Sequence, residues 1–565
     1  MLTASLPRSP KSGGPAKLNH RLPALAGWLA DHQIVLVLIA LTLWIEIGAA
    51  LAGGDSNWDM RNYHLYNPFA LFNGKFTVDV APAGTQTYFA PTLDIPYYLL
   101  VRSIRNVSLI NAILEIPHAI AIGLAYLLSV RLLRAGPGDV ALRAMAAIAT
   151  LIGATGAATT PVVATTMSDM IPVSLILGGL LLFIGAPDSR HGYIARIAGA
   201  AFLVGAAVGL KLVFVIAAVG LTAAILFLPP PAGSSFRARF VALAVGGLIG
   251  GVATAGWWWV FAWQHWGSPL FPLYNNIFHS PLVSAEPHTD TRFIPTSFVT
   301  MILYPFLWAV PSTWAATFHL TVSVGESYLR DPRIAIALVC DLILLVGIWR
   351  RRSWQADRNL AFIAIFFLVS LVAWELEFSI LRYLSFIELI SGTLMAATLI
   401  RLISTPLSTP SIRRLAPVML SFLFLFLLVV TVSPHLARAK NSSAAIVSSI
   451  PTLPDDALVI MSDPSPLAYL AAFEPPNIPF IGANNLLVTP TGTAPLDHLA
   501  SATIRNHKGP MWELATPADY PNLDDRALAA YGLTRIDCVW LTGNLADSGR
   551  VRFCRVVANR SPGVE

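Results

Sequence analysis

The chain has 565 residues, of which 55% are hydrophobic and only 12% charged, and its mean hydropathy is +0.64. Soluble domains carry about 25% charged residues, so this composition excludes an ordinary water-soluble protein and implies an integral membrane protein built from apolar spans of about 20 residues. The net charge of +6 comes from Lys and Arg scattered between apolar runs, which marks cytoplasmic loops and gives no basis for a nucleic-acid partner.

Taken in chain order, residues 1–32 are read as a cytoplasmic tail carrying Arg8, Lys11, Lys17 and Arg21 among Pro, Gly and Ser. The run from Ile34 to Ala52 is too long for a signal-peptide core, so it is predicted to be an uncleaved first span. A polar stretch from Gly53 to Asn106 follows, placed outside. Further spans are predicted near 107–130, 144–160, 170–186, 197–210, 212–229, 240–262, 334–349, 359–376, 384–402 and 415–433. The result is a polytopic α-helical membrane domain, 33–433, with about 11 transmembrane helices and outer loops at 53–106 and 263–333. The predicted inner segments hold most of the Lys and Arg outside the tail, including Arg350, Arg351 and Arg352, which puts the N-terminus in the cytoplasm and the C-terminus outside. Segment 299–321 is also apolar and is read as interfacial or re-entrant. From 434 to 565 short strand-like runs alternate with turns rich in Pro, Asp, Asn and Gly, predicting a small extracytoplasmic α/β domain long enough for a core of its own. Cys538 and Cys554 flank a predicted hairpin in it, where they either pair or stay as buried thiols; Cys340 stands apart.

Chemistry-bearing residues concentrate on the predicted outer side. Asp59 begins Asp-Met-Arg-Asn-Tyr63-His64-Leu-Tyr-Asn-Pro68 directly after the first span. At the membrane-water boundary it is either a general base, made more basic by partial desolvation, or the cap of a juxtamembrane helix. Asp169 precedes the fourth span, with the same two readings open. Together the two acids would share an acceptor group or bridge a divalent metal through oxygen ligands. Lys211 is an isolated cation in an apolar run, and left unpaired in lipid it would cost at least about 2.5 kcal/mol. It either meets a ligand, pairs with Glu46, or snorkels to the interface. Arg382 opens a span on the side where Arg is disfavoured; it clamps a phosphate or pairs with Glu375 or Glu377. Tyr274, Asn275, His279, His288 and Arg292 lie in the long outer loop. They suit either a sugar-stacking surface or an aromatic belt, as does the run Trp257-Trp258-Trp259. Soluble nucleotide-binding and hydrolase motifs are missing from any context that would support them.

These residues together resemble the GT-C class of membrane glycosyltransferases, the superfamily of protein mannosyltransferases and bacterial aminoarabinose transferases. The resemblance spans roughly the first 400 residues as architecture and rests on short segments: Asp59 ahead of Tyr63-His64 and Pro68, Asp169 in the next outer loop, Gly209-Leu210-Lys211, Pro269 to Asn275, and Arg382-Tyr383. Met60 follows Asp59 where protein mannosyltransferases carry adjacent Asp-Glu. The resemblance implies an inverting hexosyl or pentosyl transferase of a bacterial inner membrane. Its donor would be a polyprenyl-phosphate-linked sugar, with the phosphate at Arg382 and Lys211, and its acceptor an envelope lipid, glycan or protein. It further implies Asp59 and Asp169 as catalytic carboxylates with a divalent metal nearby in some relatives, and Tyr63, His64, Tyr274, Asn275 and Arg292 as substrate contacts. The rival readings are a transporter or flippase of a lipid-linked saccharide, for which no paired Gly/Pro-broken helices are found, and a non-enzymatic scaffold.

Overall fold

The computed structural model describes residues 21–136, 139–185, 189–230, 234–311, 328–403, 410–439, 444–545 and 550–559. Among them eleven long helices alternate between two faces: α1 (Arg21–Leu51), α2 (Val107–Leu132), α3 (Val140–Ala154), α4 (Met170–Ile184), α5 (Arg190–Leu210), α6 (Val215–Phe227), α7 (Phe236–Trp266), α8 (Arg333–Arg351), α9 (Arg358–Glu377), α10 (Ser385–Ile403) and α11 (Pro410–Val430). Each predicted span has its helix. Six stretches, those in α1, α2, α5, α7, α9 and α10, are long and apolar enough to cross a membrane by length and composition. Large apolar side chains point outward at Val35, Ile39, Leu43, Ile47 and Leu51 of α1, a stripe at i, i+4 spacing that lipid must cover. The chain is thus a multi-pass membrane protein. α1 begins at Arg21, inside the stretch read as tail, and residues 1–20 lie outside the described residues. A short helix, Phe298–Leu307, occupies the first half of segment 299–321, whose second half from 312 also lies outside them.

Contacts fix which ends share a face. At one face, Arg131 reaches the carbonyl of Leu181 at 3.3 Å, Arg134 that of Ala356 at 2.7 Å, Arg196 that of Leu182 at 2.9 Å and Arg239 that of Ile225 at 2.7 Å. Those of Arg131, Arg196 and Arg239 satisfy orphan carbonyls that close α4 and α6. At the other, Arg333 donates to Ile152 O at 2.6 Å and to Thr155 and Thr431 hydroxyls, and Arg330 pairs backbone-to-backbone with Val432. Segments 53–106, 155–169, 211–214, 267–297, 378–384 and the C-terminal region all emerge at this second face.

α5 and α7 pack through a seam of small residues. A Cβ at Gly205 would lie 2.1 Å from Gly247 O, and one at Gly250 would lie 2.0 Å from Phe202 O, so the two backbones touch. α3 and α4 have 15 residues each, about 22 Å of helix against a hydrocarbon thickness of about 30 Å. The connecting segment 155–169 is mostly buried, and irregular backbone at such depth must be satisfied internally. Buried carboxylates do this in succession. Ala157 N donates to Asp331 at 2.9 Å, Ala158 N and Thr159 N to Glu388 at 3.0 and 2.7 Å, Ala164 N to Glu115 at 2.6 Å, and Thr166 N to Asp55 at 2.8 Å. Arg438 takes the carbonyls of Val163 and Ala164.

The C-terminal region forms a five-stranded sheet of order β2-β1-β3-β5-β4, with β1 (Leu458–Met461), β2 (Phe480–Gly482), β3 (Met511–Ala515), β4 (Leu533–Trp540) and β5 (Arg552–Ala558). β1 runs parallel to β2 and β3; β5 runs antiparallel to β3 and β4. Cys538 and Cys554 face each other across β4 and β5 and are disulfide-bonded, which resolves the two readings of that pair. The sheet shares one apolar core with the first outer loop, where the sequence reading expected a core of its own. Met60, Tyr66, Phe76 and Val80 are buried in the same cluster as Leu458, Val459, Phe480 and Leu514. The loop also extends the sheet, since Val80 bridges Ile481 in parallel, and a fully buried Lys75–Asp79 pair at 2.9 Å is aimed at the backbone of Ile478 and Phe480.

Candidate active site

Asp59 lies at the start of a helical turn, Met60–His64, and Asp169 precedes α4, but neither carboxylate caps the helix that follows it. The capping alternative is therefore not realised. Asp59 Oδ2 faces Arg382 Nη1 at 3.1 Å, and Asp169 pairs with Lys211, whose Nζ also donates to Met167 O at 3.1 Å. Arg382 turns to Asp59 and away from Glu375 and Glu377; Glu377 instead accepts from the Tyr274 hydroxyl at 2.6 Å. Lys211 likewise meets Asp169, not Glu46. The Tyr383 ring stands by both cations, 5.2 Å from the Arg382 guanidinium and 5.8 Å from Lys211 Nζ. Four residues distant in sequence thus form one cluster at the mouth of the bundle, at its second face.

This cluster is unsaturated. Asp169 Oδ2 and Arg382 Nε are buried without a hydrogen-bond partner, and Asp59 Oδ2 has only the Arg382 guanidinium opposite it. Buried polar atoms normally find partners, so two orphans beside two ion pairs mark a place for a ligand with donors, acceptors and negative charge.

Behind Asp59, Tyr63 packs edge-on to His64 at 4.3 Å and to Phe89. His64 Nδ1 is 2.6 Å from the Thr166 hydroxyl, which sits 2.8 Å from Asp55 Oδ2. On the other side of the ring His64 Nε2 faces Asp94 Oδ1 at 3.9 Å. Burial holds the Asp94 carboxyl well above the usual carboxylate range, reinforced by Asp59 and opposed by Lys211. It pushes His64 well below the usual imidazole value, with Lys211 and Arg382 adding to the effect. Burial raises the Tyr63 phenol as well, with Asp59 and Asp94 contributing. Asp94, Asp55 and Thr166 were not singled out by sequence. The one available signal was an acid, Asp94, between two prolines in an otherwise apolar and aromatic stretch.

The remaining candidates are placed differently. Asn275 is buried and turned into its own loop, where its amide donates to the carbonyls of Ser280, Val283 and Ser284 and accepts from Ser280 N. Arg292 is largely exposed and forks onto Asp290 at 2.9 and 2.7 Å. Asp290 feels Arg382, so this loop borders the cluster. No group of three or more His, Cys, Asp or Glu converges as a metal site among the described residues. Asp59 and Asp169 each face a cation in this arrangement.

An open apolar groove lies between α5, α6 and α7. Its wider part, about 600 Å³, is lined by Ala218, Thr222, Leu226, Phe227 and Phe236. A narrower part of about 190 Å³ continues it past Gly205, Val208, Gly247 and Gly251, so its upper end lies within one helical turn of Lys211.

No family model and no curated protein matches the chain. Among solved structures it is similar to ArnT from Cupriavidus metallidurans, crystallised with undecaprenyl phosphate and in the apo state. Both pairs share 12% identity at a TM-score of 0.37, covering 93% and 94% of this chain and 98% of the other. At that score the likeness carries no functional argument, which rests on the site itself.

Proposed function

We propose that the protein is a GT-C-like glycosyltransferase that moves a sugar from a polyprenyl-phosphate donor to an envelope acceptor at the membrane face where the Asp59–Arg382 and Lys211–Asp169 pairs lie. The observation that carries this reading is the meeting of those two ion pairs, with Asp169 Oδ2 and Arg382 Nε left unpartnered, above an apolar groove that reaches Val208, three positions before Lys211. The groove's lining on α6, from Ala218 to Phe227, is about 14 Å long, which suits part of an isoprenoid chain whose phosphate would then meet Lys211 and Arg382. A diester phosphate competes with Asp59 for the Arg382 guanidinium, and an aspartate relieved of its cation is more basic. Asp59 then accepts the proton of an acceptor hydroxyl or amine while the acceptor atom bonds to the anomeric carbon. The carbon–oxygen bond to phosphate breaks with its electron pair on the phosphate, and one displacement inverts the anomeric configuration. Fixed cations stabilise the charge that develops on the leaving phosphate. Metal chemistry is not part of this scheme.

The test is mass spectrometry of envelope lipids and glycans from cells carrying the wild-type protein, the Asp59→Asn variant or a deletion. The expected result is one glycan modification missing from both defective strains, with Asp59→Asn protein present at normal level in the membrane. Normal modification in Asp59→Asn cells, together with accumulated unmoved lipid-linked sugar in the deletion, would replace transfer by transport.

A further inference from the structure

The hydrogen-bond chain behind the ion pairs fixes a tautomer. Thr166 has one hydroxyl proton, and its neighbour Asp55 Oδ2 only accepts, taking the Thr166 backbone N–H and hydroxyl at 2.8 Å each. The hydroxyl oxygen is therefore an acceptor toward His64, so His64 Nδ1 carries hydrogen. In a neutral ring Nε2 is then a bare lone pair, and it faces Asp94 Oδ1 at 3.9 Å. Both side chains are buried, and the Asp94 carboxyl makes no hydrogen bond to any described residue. A bare lone pair facing a carboxylate oxygen in a largely buried place disfavours the ionised carboxylate.

The groups facing this pair are Lys211 and Asp59 on the Asp94 side, and Lys211, Arg382 and the Tyr63 ring on the His64 side. Lys211 and Arg382 are already matched by Asp169 and Asp59. With Asp94 ionised, three carboxylates would oppose two cations where an anionic phosphate has to enter. With Asp94 neutral the charges balance. Burial favours that neutral form, since it raises Asp94 and lowers His64.

We propose that Asp94, facing the bare Nε2 of His64, is held as a neutral acid and donates a hydrogen bond to the phosphate of a polyprenyl phosphate beside Lys211. Asp55 and Thr166 are positioning residues in this arrangement, acting through the His64 tautomer. The inference rests on the donor reading above and adds the proton that accompanies the donor.

The experiment is binding of undecaprenyl phosphate to the full-length protein in nanodiscs across mildly acid to mildly alkaline pH. One linked proton makes wild-type affinity fall roughly tenfold per pH unit once Asp94 has lost its proton. Asp94→Asn offers a permanent N–H donor and is expected to bind with little pH dependence over the same range. Should that variant fail to fold, Thr166→Val reads the same device by removing the hydroxyl that holds the tautomer. It is expected to shift the midpoint of the affinity profile, and Thr166→Ser to restore it. A wild-type slope retained in Asp94→Asn, or an unmoved midpoint in Thr166→Val, overturns the proposal while leaving the donor reading standing. Absence of binding by the wild type at every pH overturns both.

Discussion

Glu388 and Gly156 provide a demanding test of how the site is held. The Glu388 carboxylate accepts from Ala158 N at 3.0 and 3.1 Å and from Thr159 N at 2.7 Å, in the segment that ends at Asp169. Replacement by Ala leaves two backbone N–H groups without acceptors. At about 1–3 kcal/mol for each buried orphan, the expected loss is about 2–6 kcal/mol. The same carboxylate fills the space beside Gly156, where a Cβ would lie 2.0 Å from Glu388 Cδ. Gly156→Ala therefore forces the carboxylate out of place, and overpacking of this kind costs about 1–3 kcal/mol. In the double variant the obstacle is gone, so its loss is expected to approach that of Glu388→Ala alone. The assay is unfolding of purified wild type, both single variants and the double variant by titration with a denaturing detergent in mixed micelles. A double-variant loss equal to the sum of the singles within about 0.5 kcal/mol would refute the contact as the cause. The Asp59–Arg382 and Lys211–Asp169 pairs should suffer in parallel, because the displaced segment carries Met167 and Asp169.

Arg382→Ala is expected to weaken undecaprenyl phosphate binding at least tenfold, a loss typical of a charge-assisted contact, while the fold is retained; unchanged affinity measured by titration would return Arg382 to a purely structural pair with Asp59. Replacing Cys538 and Cys554 by Ser removes a cross-link over 16 residues and should lower the stability of the β4–β5 hairpin by about 3 kcal/mol, read as faster amide hydrogen exchange confined to those strands. Burial raises Asp463, at the end of β1, to about 6, against hydrogen bonds from Ser465 and Thr516 that favour its ionised form. Its folded-state value exceeds the unfolded one of 3.8, so its contribution to stability is complete below about pH 4 and is lost as the pH rises through about 6, a difference of about 3 kcal/mol. Protection factors of β1 and β3 amides should follow that sign in the wild type and lose this component in Asp463→Asn; a rise in protection with pH through the same window would contradict it.

The helical architecture was legible because a span needs an apolar run that few other constraints produce, and the eleven runs from 34 to 433 all became helices. Asp59, Asp169, Lys211 and Arg382 were legible for the same reason inverted, as charges at the edges of apolar runs. Their pairing was not, since Lys211 had Glu46 and Arg382 had Glu375 and Glu377 as nearer candidates. The packing of α4 against α5 and the buried course of 155–169 bring Asp169 to Lys211. Asp55, Glu115 and Glu388 stayed hidden because their role is to bond backbone atoms that come close only after folding, and Asp94 because the ring it faces also comes close only then. Asn275 shows the converse: its Pro-Leu-Phe-Pro-Leu-Tyr-Asn setting drew attention to a side chain that ties its own loop.

The bonds from Lys75 to Ile478 and from Phe480 to Asp79 join residues 403 and 401 positions apart. The membrane insertion machinery delivers the first outer loop early and the strand that completes it almost last. Through the synthesis of ten further helices, Met60, Tyr66, Phe76 and the Asp59 turn wait without the sheet that covers them, exposing apolar surface of the kind that invites aggregation. Contacts of such long range are slow to form. The candidate site is therefore the last part of the protein to be covered, and a ribosome that stops before β2 releases a full membrane bundle whose Asp59 turn lacks its sheet.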